Sequence, residues 1–276
     1  MSLDRATIVT LGSKLAPAAA TFGQLRTLLD DPDNGLDEIV QLIRLDPALT
    51  FHVIRMSNSV IFGMRELNDS LEGAVGRVGF REIYRLVGLA ATQQVCQRDL
   101  VNYRLKATRL WENSVATAAA AEVLAVPAGC DPGLLYTAGL LRTLGRVIID
   151  GSAVGRVYRG EAEWPLVTDW ERAMFGITSA EVTAVLLEHW RFPAQIVDSV
   201  RGHLDPLARP ESNVGASVLN LACGVVARFG LDLPGESAHW VPTEAKMTLA
   251  NVTQPIIDEC ADRAREHYTA LCASVG

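Results

Sequence analysis

The stretch that decides the fold is residues 136–149, which read YTAGLLRTLGRVII. It follows Asp131 and Pro132, a pair typical of the start of a helix, because proline is well suited to the first helical position. The pattern therefore predicts a helix that begins near Pro132 and carries Arg142. Arg146 follows one helical turn later, so both guanidiniums are expected on one helix face.

Helical patterns recur along the rest of the chain. Asp46 and Pro47 supply an N-cap and a proline at the first helical position, and Thr178 with Glu181 makes a capping box. Gly79 suits the end of an amphipathic helix, since glycine is the usual residue at helix ends. No segment shows convincing strand alternation. The predicted fold class is all-α.

Two longer helices are predicted in the second half. The first covers residues 111–126 and contains the alanine-rich run 116–121, whose small side chains let another helix pack closely across it. Apolar residues at helical spacing between Ile257 and Leu271 predict a terminal amphipathic helix.

Composition bounds the class of protein. The chain has 276 residues, of which 49% are hydrophobic and 21% charged, as in ordinary globular proteins. A formal net charge of −7 argues against general nucleic-acid binding, which needs clustered lysine and arginine. No apolar run is long enough to span a membrane, and the N-terminus lacks the layout of a signal peptide. The five cysteines include no C-x-x-C pair, so we expect buried thiols in a cytoplasmic protein.

A series of short segments resembles the HDOD domain, the HD-related output domain of bacterial signalling proteins. In unbroken order they are residues 45–50 (LDPALT), 56–59 (MSNS), 62–63 (FG), 70–71 (SL), 78–79 (VG), 110–114 (LWENS), 138–141 (AGLL), 144–145 (LG) and 180–182 (AEV), followed by Leu187, Trp190, Pro193 and His203. Within this series, residues 136–149 closely resemble the GLLHDIG helix of HD-type metal phosphohydrolases. Arg142 and Thr143 stand there in place of the His-Asp pair.

The resemblance implies a fold and a role. It implies an N-terminal helical bundle, placed at residues 1–105, packed on a degenerate HD-like helical core with a C-terminal helical extension at residues 106–276. It also implies signal transduction, often in the regulation of motility, stress or cyclic-nucleotide networks. The chain leaves no room for an appended receiver or cyclase domain, so we expect a standalone protein that acts in trans.

The resemblance also identifies residues with structural roles in the family motif. They are Asp46, Pro47, Asn58, Ser59, Phe62, Gly63, Trp111, Gly139, Gly145, Trp190 and Pro193. Asn58 and Ser59 are expected to fix a turn by hydrogen bonds, Phe62 to plug the space between the two subdomains, and Gly63 to permit an unusual backbone angle. Trp190 fits a core anchor better than a recognition patch.

The positions that match metal ligands of HD hydrolases carry unsuitable side chains. They are Asn113, Arg142, Thr143, Ser179, His203 and Cys223. Only His203 keeps an imidazole, whereas the hydrolase chemistry needs several imidazoles and carboxylates around divalent metal. A permanently charged arginine would repel a dication about 4 Å away by several kcal/mol at an effective dielectric near 20. We expect no metal, no cofactor and no catalysis.

Two assignments of these residues remain open. Arg142 and Arg146 either bind a phosphate or an acidic partner, or pair with a carboxylate from a neighbouring helix. His203 is either a remnant ligand or a hydrogen-bonded histidine at a helix end.

The sequence therefore predicts a non-enzymatic regulatory module that binds protein partners or a small signalling ligand. The alternative is a residual phosphohydrolase or nucleotide-binding protein that uses the remnant cleft, which a polar pocket lined by Asn113, Arg142 and His203 would favour. Neither nucleic acid nor a membrane is expected as a partner.

Overall fold

The computed structural model describes residues 3–15, 17–29, 35–58, 70–152, 155–160, 162–208 and 214–275. Within these ranges the chain forms helices and turns, and its one extended pairing is an isolated antiparallel bridge between Leu100 and Leu105. The prediction of an all-α fold is confirmed. Ser59, Phe62 and Gly63 lie outside the described residues, so their predicted roles stay predictions.

The first part of the described chain forms a bundle of short helices. These are α1 (Arg5–Leu15), α2 (Pro17–Leu29), α3 (Leu36–Arg44), α4 (Pro47–Ser57), α5 (Leu71–Val78) and α6 (Phe80–Val95). Helix α6 is the centre of this bundle, because α2, α4 and α5 all pack on it. The rings of Phe22 on α2 and Tyr84 on α6 are tilted by 32° with centroids 4.6 Å apart, and this contact anchors the bundle core.

The second part is built around one long buried helix. Its helices are α7 (Ala107–Ala128), α8 (Pro132–Leu141), α9 (Leu144–Ser152), α10 (Val167–Phe175), α11 (Ser179–His189), α12 (Ala194–Gly202), α13 (Val214–Arg228), α14 (Glu244–Leu249) and α15 (Gln254–Val275). Helices α8, α13 and α15 all pack on α7, as expected for the core helix of this part. None of the described helices combines the length and apolar composition needed to cross a bilayer.

The two parts share a continuous core. Phe192, in the turn before α12, meets Phe22 edge-on at 6.1 Å, and α6 packs on α7 and α8. Helix α1 packs on α9 and α11, so the first helix lies against the second part of the fold. The boundary at residue 105 stays a prediction.

The predicted helix ends are confirmed. Asp46 caps α4 by accepting from Leu49 N at 3.0 Å, with Pro47 at the first helical position. Thr178 and Glu181 form the capping box of α11, and Gly79 ends α5 with φ of 81°. Because each cap uses only neighbouring residues, local sequence is enough to predict it.

The alanine-rich run on α7 does receive a close neighbour, as predicted. The alanines are fully buried, and α8 crosses them at Gly139. A Cβ at Gly139 would lie 2.8 Å from both Ala118 Cα and Thr117 O. Only glycine fits this backbone-to-backbone contact.

The prediction of one helix from Pro132 through Arg142 is wrong in detail. Helix α8 ends at Leu141 and α9 begins at Leu144. The reason is a side chain that intrudes on the helical hydrogen bonds: Gly145 N donates to Thr183 Oγ1 at 2.8 Å, and this hydroxyl lies 3.1 Å from Arg142 O. Arg142 and Arg146 therefore sit on either side of a turn.

Replacing Gly139 with alanine should destabilise the fold by about 1–3 kcal/mol, because the added methyl group would press on the α7 backbone. The free energy of unfolding from urea titration measures this. Gly76→Ala is the matched control, since a Cβ at Gly76 meets nothing within 4 Å. That variant should be neutral or stabilised by up to about 1 kcal/mol, and equal effects of the two changes would contradict the close crossing.

Candidate functional site

The site predicted from the HD resemblance is occupied by a buried ion cluster of Arg142, Arg146 and Glu236. Arg142 donates to both carboxylate oxygens of Glu236, with Nη1–Oε1 and Nη2–Oε2 distances of 3.2 Å. Arg146 Nη2 donates to Glu236 Oε1 at 2.5 Å. The three side chains are only 2–3% exposed. Each charge is therefore removed from water and held by the others.

The loop after α13 brings Glu236 to the two arginines. Gly235 has a φ of 74°, a conformation that favours glycine, and a Cβ there would lie 2.3 Å from Tyr158 Oη. Gly235 O also accepts from Val167 N at 3.0 Å, which ties the loop to α10. Glu236 thus occupies one defined position at the entry to the 3-10 turn Ser237–Trp240.

Asn113 on α7 fixes the orientation of Arg142. Its Oδ1 accepts from Arg142 Nη2 at 2.6 Å, and its Nδ2 donates to Leu231 O at 2.8 Å. Both the oxygen and the nitrogen of this amide are therefore bonded to protein groups. The position matched to a metal ligand in HD hydrolases therefore serves here to hold a guanidinium.

Aromatic rings complete the walls around both arginines. The Arg142 guanidinium lies 5.5 Å from the ring centroid of Trp240, and that of Arg146 lies 5.1 Å from Tyr103. His203 stacks against Trp240, with centroids 5.8 Å apart and an interplanar angle of 18°. Cation–π contacts add favourable energy where water is excluded.

His203 is a buried neutral histidine. Its Nδ1 lies 2.6 Å from Val200 O and must carry the proton, while Nε2 has no hydrogen-bond partner. Burial, reinforced by the charge of Arg142, lowers the pKa of His203 to about 3. The imidazole ends α12 and is 2% exposed, so the hydrogen-bonded arrangement describes it better than a ligand position.

A second carboxylate, Glu171 on α10, lies beyond Arg146. It accepts from Tyr103 Oη at 2.8 Å and from Ser179 N at 2.7 Å. Burial raises the pKa of Glu171, and the charge of Arg146 together with these two hydrogen bonds opposes that rise. Ser179, another position matched to a metal ligand, thus uses its backbone to bind this carboxylate.

Thr143 and Cys223, the remaining positions matched to metal ligands, also contact other protein groups. Thr143 Oγ1 forms a hydrogen bond of 2.9 Å with Ser114 on α7. Cys223 on α13 is 2% exposed, and burial raises the pKa of its thiol to about 12. Asn113, Arg142, His203 and Cys223 lie around one buried centre, whereas Thr143 and Ser179 bind at its edge.

The electrostatics of the cluster depend on Glu236. Burial alone would raise the pKa of this carboxyl group, but Arg142 and Arg146 outweigh burial and lower it to about 2. Glu236 is therefore ionised at neutral pH. Arginine stays protonated in proteins, so the cluster holds two positive charges around one shared carboxylate.

These residues do not fit a catalytic metal. Both oxygens of Glu236 are engaged by guanidiniums, and Asn113 faces Arg142. Among the described residues, no group of three or more His, Cys, Asp or Glu side chains is arranged to hold a metal ion. Two buried guanidiniums would add strong repulsion against a dication. The chemistry of the cluster is structural ion pairing.

Sequence patterns did not single out Glu236, Trp240, Tyr103 or Glu171. Glu236 lies 94 positions from Arg142 in a loop with no periodicity. The one available signal was indirect: buried arginines need a carboxylate partner. That requirement predicts a partner without selecting among the 32 acidic residues.

Glu236→Gln should lower the free energy of unfolding by about 3–5 kcal/mol, because two buried guanidiniums would lose their counter-charge. Urea titration measures the change. The matched control is Glu163→Gln, in an exposed pair with Arg159 at 3.8 Å, which should cost less than about 1 kcal/mol. A small and equal effect of both substitutions would contradict the role of Glu236.

Stability should also fall as the pH is lowered from 6.5. Folded His203 stays neutral down to about pH 3, whereas in the unfolded chain it takes up a proton near the ordinary pKa of 6.5. Acid therefore favours the unfolded chain, by about 1.4 kcal/mol per pH unit for one proton. Below about pH 4.5, Glu236 adds a second loss, since its folded pKa is about 2.

The measurement is the free energy of unfolding at several pH values between 7 and 5. His203→Gln should reduce the slope in this range by about one proton. His189→Gln serves as the control, because that side chain is exposed at the end of α11. An unchanged slope in His203→Gln would show that His203 is not the buried neutral group described above.

Comparisons with known proteins agree with this architecture. A curated relative, an uncharacterized protein of Treponema pallidum (strain Nichols), is 28% identical over 197 residues, covering 68% of this chain and 37% of that protein. The chain thus spans little more than a third of the length of that relative.

Solved structures show the same fold. A protein of Marinobacter aquaeolei VT8, provisionally named a signal transduction protein, has a TM-score of 0.73 at 23% identity, over 95% of this chain and 59% of that one. An HDOD domain protein with unknown function from Geobacter sulfurreducens has a TM-score of 0.67 at 21% identity, over 98% and 94%. A protein of Shewanella amazonensis SB2B, provisionally named a phosphohydrolase, has a TM-score of 0.68 at 19% identity, over 96% and 97%.

The family itself is given by the sequence. A family model described as the HDOD domain matches residues 15–206. This match covers well over half of the chain and includes every motif on which the resemblance was based. The protein belongs to the HDOD domain family.

Proposed function

We propose that this protein is a non-enzymatic signalling module that acts by binding protein partners or a small signalling ligand. The observation that carries the proposal is the shared carboxylate of Glu236, which pairs with both Arg142 and Arg146 in the place where HD hydrolases bind metal. A site filled in this way offers neither a Lewis acid nor an activated water. In this proposal the buried ion cluster stabilises the fold, and the surface of the protein binds the partner or ligand.

Family membership and the neighbouring folds support a regulatory role in a coarse sense. The Marinobacter neighbour is provisionally named for signal transduction, whereas the Shewanella neighbour is provisionally named a phosphohydrolase. The two names differ on catalysis, so the proposal depends on the side chains of this chain's own site. Arg142, Arg146 and Glu236 support ligand binding without hydrolysis.

The alternative of nucleotide binding in the remnant cleft finds less support. Arg142 and Arg146 face Glu236 and are nearly inaccessible to a ligand. A groove of about 480 Å³ lies near the cluster, and its wall includes Gly202 and His239, neighbours in sequence of His203 and Trp240. Its charged lining residues are Asp169, Glu181, Asp198, Asp205, Arg172 and Arg201. Both arginines pair with carboxylates, so the groove would repel phosphate.

The purified protein should not hydrolyse phosphate esters. We expect no turnover of bis(4-nitrophenyl) phosphate or 4-nitrophenyl phosphate above buffer in the presence of Mn²⁺, Mg²⁺ or Fe²⁺, and no stoichiometric metal by elemental analysis. The physical reason is the positive charge of Arg142 and Arg146 at the position of a dication.

Turnover with bound metal would overturn the proposal. Glu236→Gln serves as the control for contaminating hydrolase, since a trace contaminant would give the same rate with both proteins. Metal-dependent turnover that Glu236→Gln abolishes, in a variant that still shows a cooperative thermal unfolding transition, would place catalysis in this cleft.

A further inference from the structure

A second pocket lies between the two parts of the fold, apart from the ion cluster. It has a volume of about 520 Å³ and is lined by residues of α2, α6, α7 and α8. Ligand sites often occur where two structural units meet, and this volume suits a small molecule. The pocket shares no lining residue with the Arg142 cluster.

The pocket holds three arginines close to three carboxylates, so its charges balance. Arg26, Arg81 and Arg85 line it together with Glu122 and Asp131, and Glu82 pairs with Arg85 from just outside the lining. The side chain of Arg81 is 72% exposed, whereas those of Arg26 and Arg85 are 16% and 17% exposed. Arg81 is therefore the arginine that an entering anion can reach.

The arginines are held in place by the carboxylates at the base of the pocket. Glu122 is 5% exposed and accepts from Arg81 at 3.2 Å and from Arg85. Arg85 also donates to Glu82 at 2.6 Å. Arg26 lies 3.6 Å from Asp131 and 5.8 Å from the centroid of the Tyr84 ring. Guanidiniums fixed in this way lose little entropy when an anion binds.

Arg81 has donors to offer to a ligand. Its side chain is 72% exposed and uses Nη2 for Glu122. A guanidinium has five N–H donors in a planar fork that matches the oxygens of a phosphate. An entering phosphate can therefore bind Arg81 without removing it from Glu122.

The neighbouring residue Phe80 adds an aromatic surface at the rim. It is 43% exposed at the first position of α6, which is high for a phenylalanine. Exposed aromatic rings beside arginines are suited to stack on the flat face of a heterocycle.

We propose that this pocket binds a phosphorylated small molecule with a planar ring, of the mononucleotide class. The phosphate contacts Arg81 and the other arginines of the wall, and the ring stacks on Phe80. This ligand would be the small signalling ligand of the proposed function, on which the inference rests. Hydrolysis and binding are read from separate measurements, so failure of one proposal is distinguishable from failure of the other.

Isothermal titration calorimetry with AMP, GMP, adenosine and inorganic phosphate tests the proposal on the full chain. We expect a mononucleotide to bind more tightly than inorganic phosphate, and adenosine not to bind detectably. Arg81→Gln should weaken nucleotide binding about tenfold or more, since it removes a charge-assisted contact. Phe80→Ala should weaken binding of the nucleotide but not of inorganic phosphate.

Arg159→Gln is the matched control, because Arg159 is likewise exposed with one carboxylate partner and does not line the pocket. It should bind nucleotide as the unchanged protein does. Thermal unfolding midpoints show whether each variant is folded. No binding of either nucleotide at millimolar concentration, or equal affinity in Arg81→Gln and Arg159→Gln, would overturn the proposal. Equal affinities for phosphate and nucleotide would overturn the role of Phe80.

Discussion

The carboxylate of Glu236, placed between two buried guanidiniums, is the interaction on which the rest of the structure depends. Two arginines cannot remain in a protein interior without a counter-charge, because the loss of their hydration is not otherwise compensated. Glu236 comes from the segment after α13, and the arginines come from the two sides of the turn between α8 and α9. The ion cluster therefore ties the C-terminal segment to the centre of the fold.

This constraint explains why the C-terminal extension is part of the core. The HDOD match ends at residue 206, whereas Glu236 and Trp240 lie beyond it. Without this segment, Arg142 would lose both its carboxylate and the ring beneath it. The matched part of the chain thus relies on residues outside the match for charge balance.

The ion pairs of Glu236 also fill the cleft. They stabilise one arrangement of helices and leave little space for a substrate. The surface then provides two pockets of different charge. The groove beside His239 carries four carboxylates and two arginines, whereas the charges balance in the pocket at Arg81 and Phe80. The proposed anionic ligand would therefore favour the second pocket over the first.

Local sequence was sufficient for the helices and for the caps at Asp46 and Thr178, because these features depend on neighbouring residues. It misjudged the break between α8 and α9, since the hydroxyl that interrupts the helix comes from Thr183, about forty positions away. Only the tertiary structure selected Glu236 among the 32 acidic residues and formed the pocket at Arg81. Both depend on segments distant in sequence that meet only when the helices pack, and no local pattern encodes such a meeting.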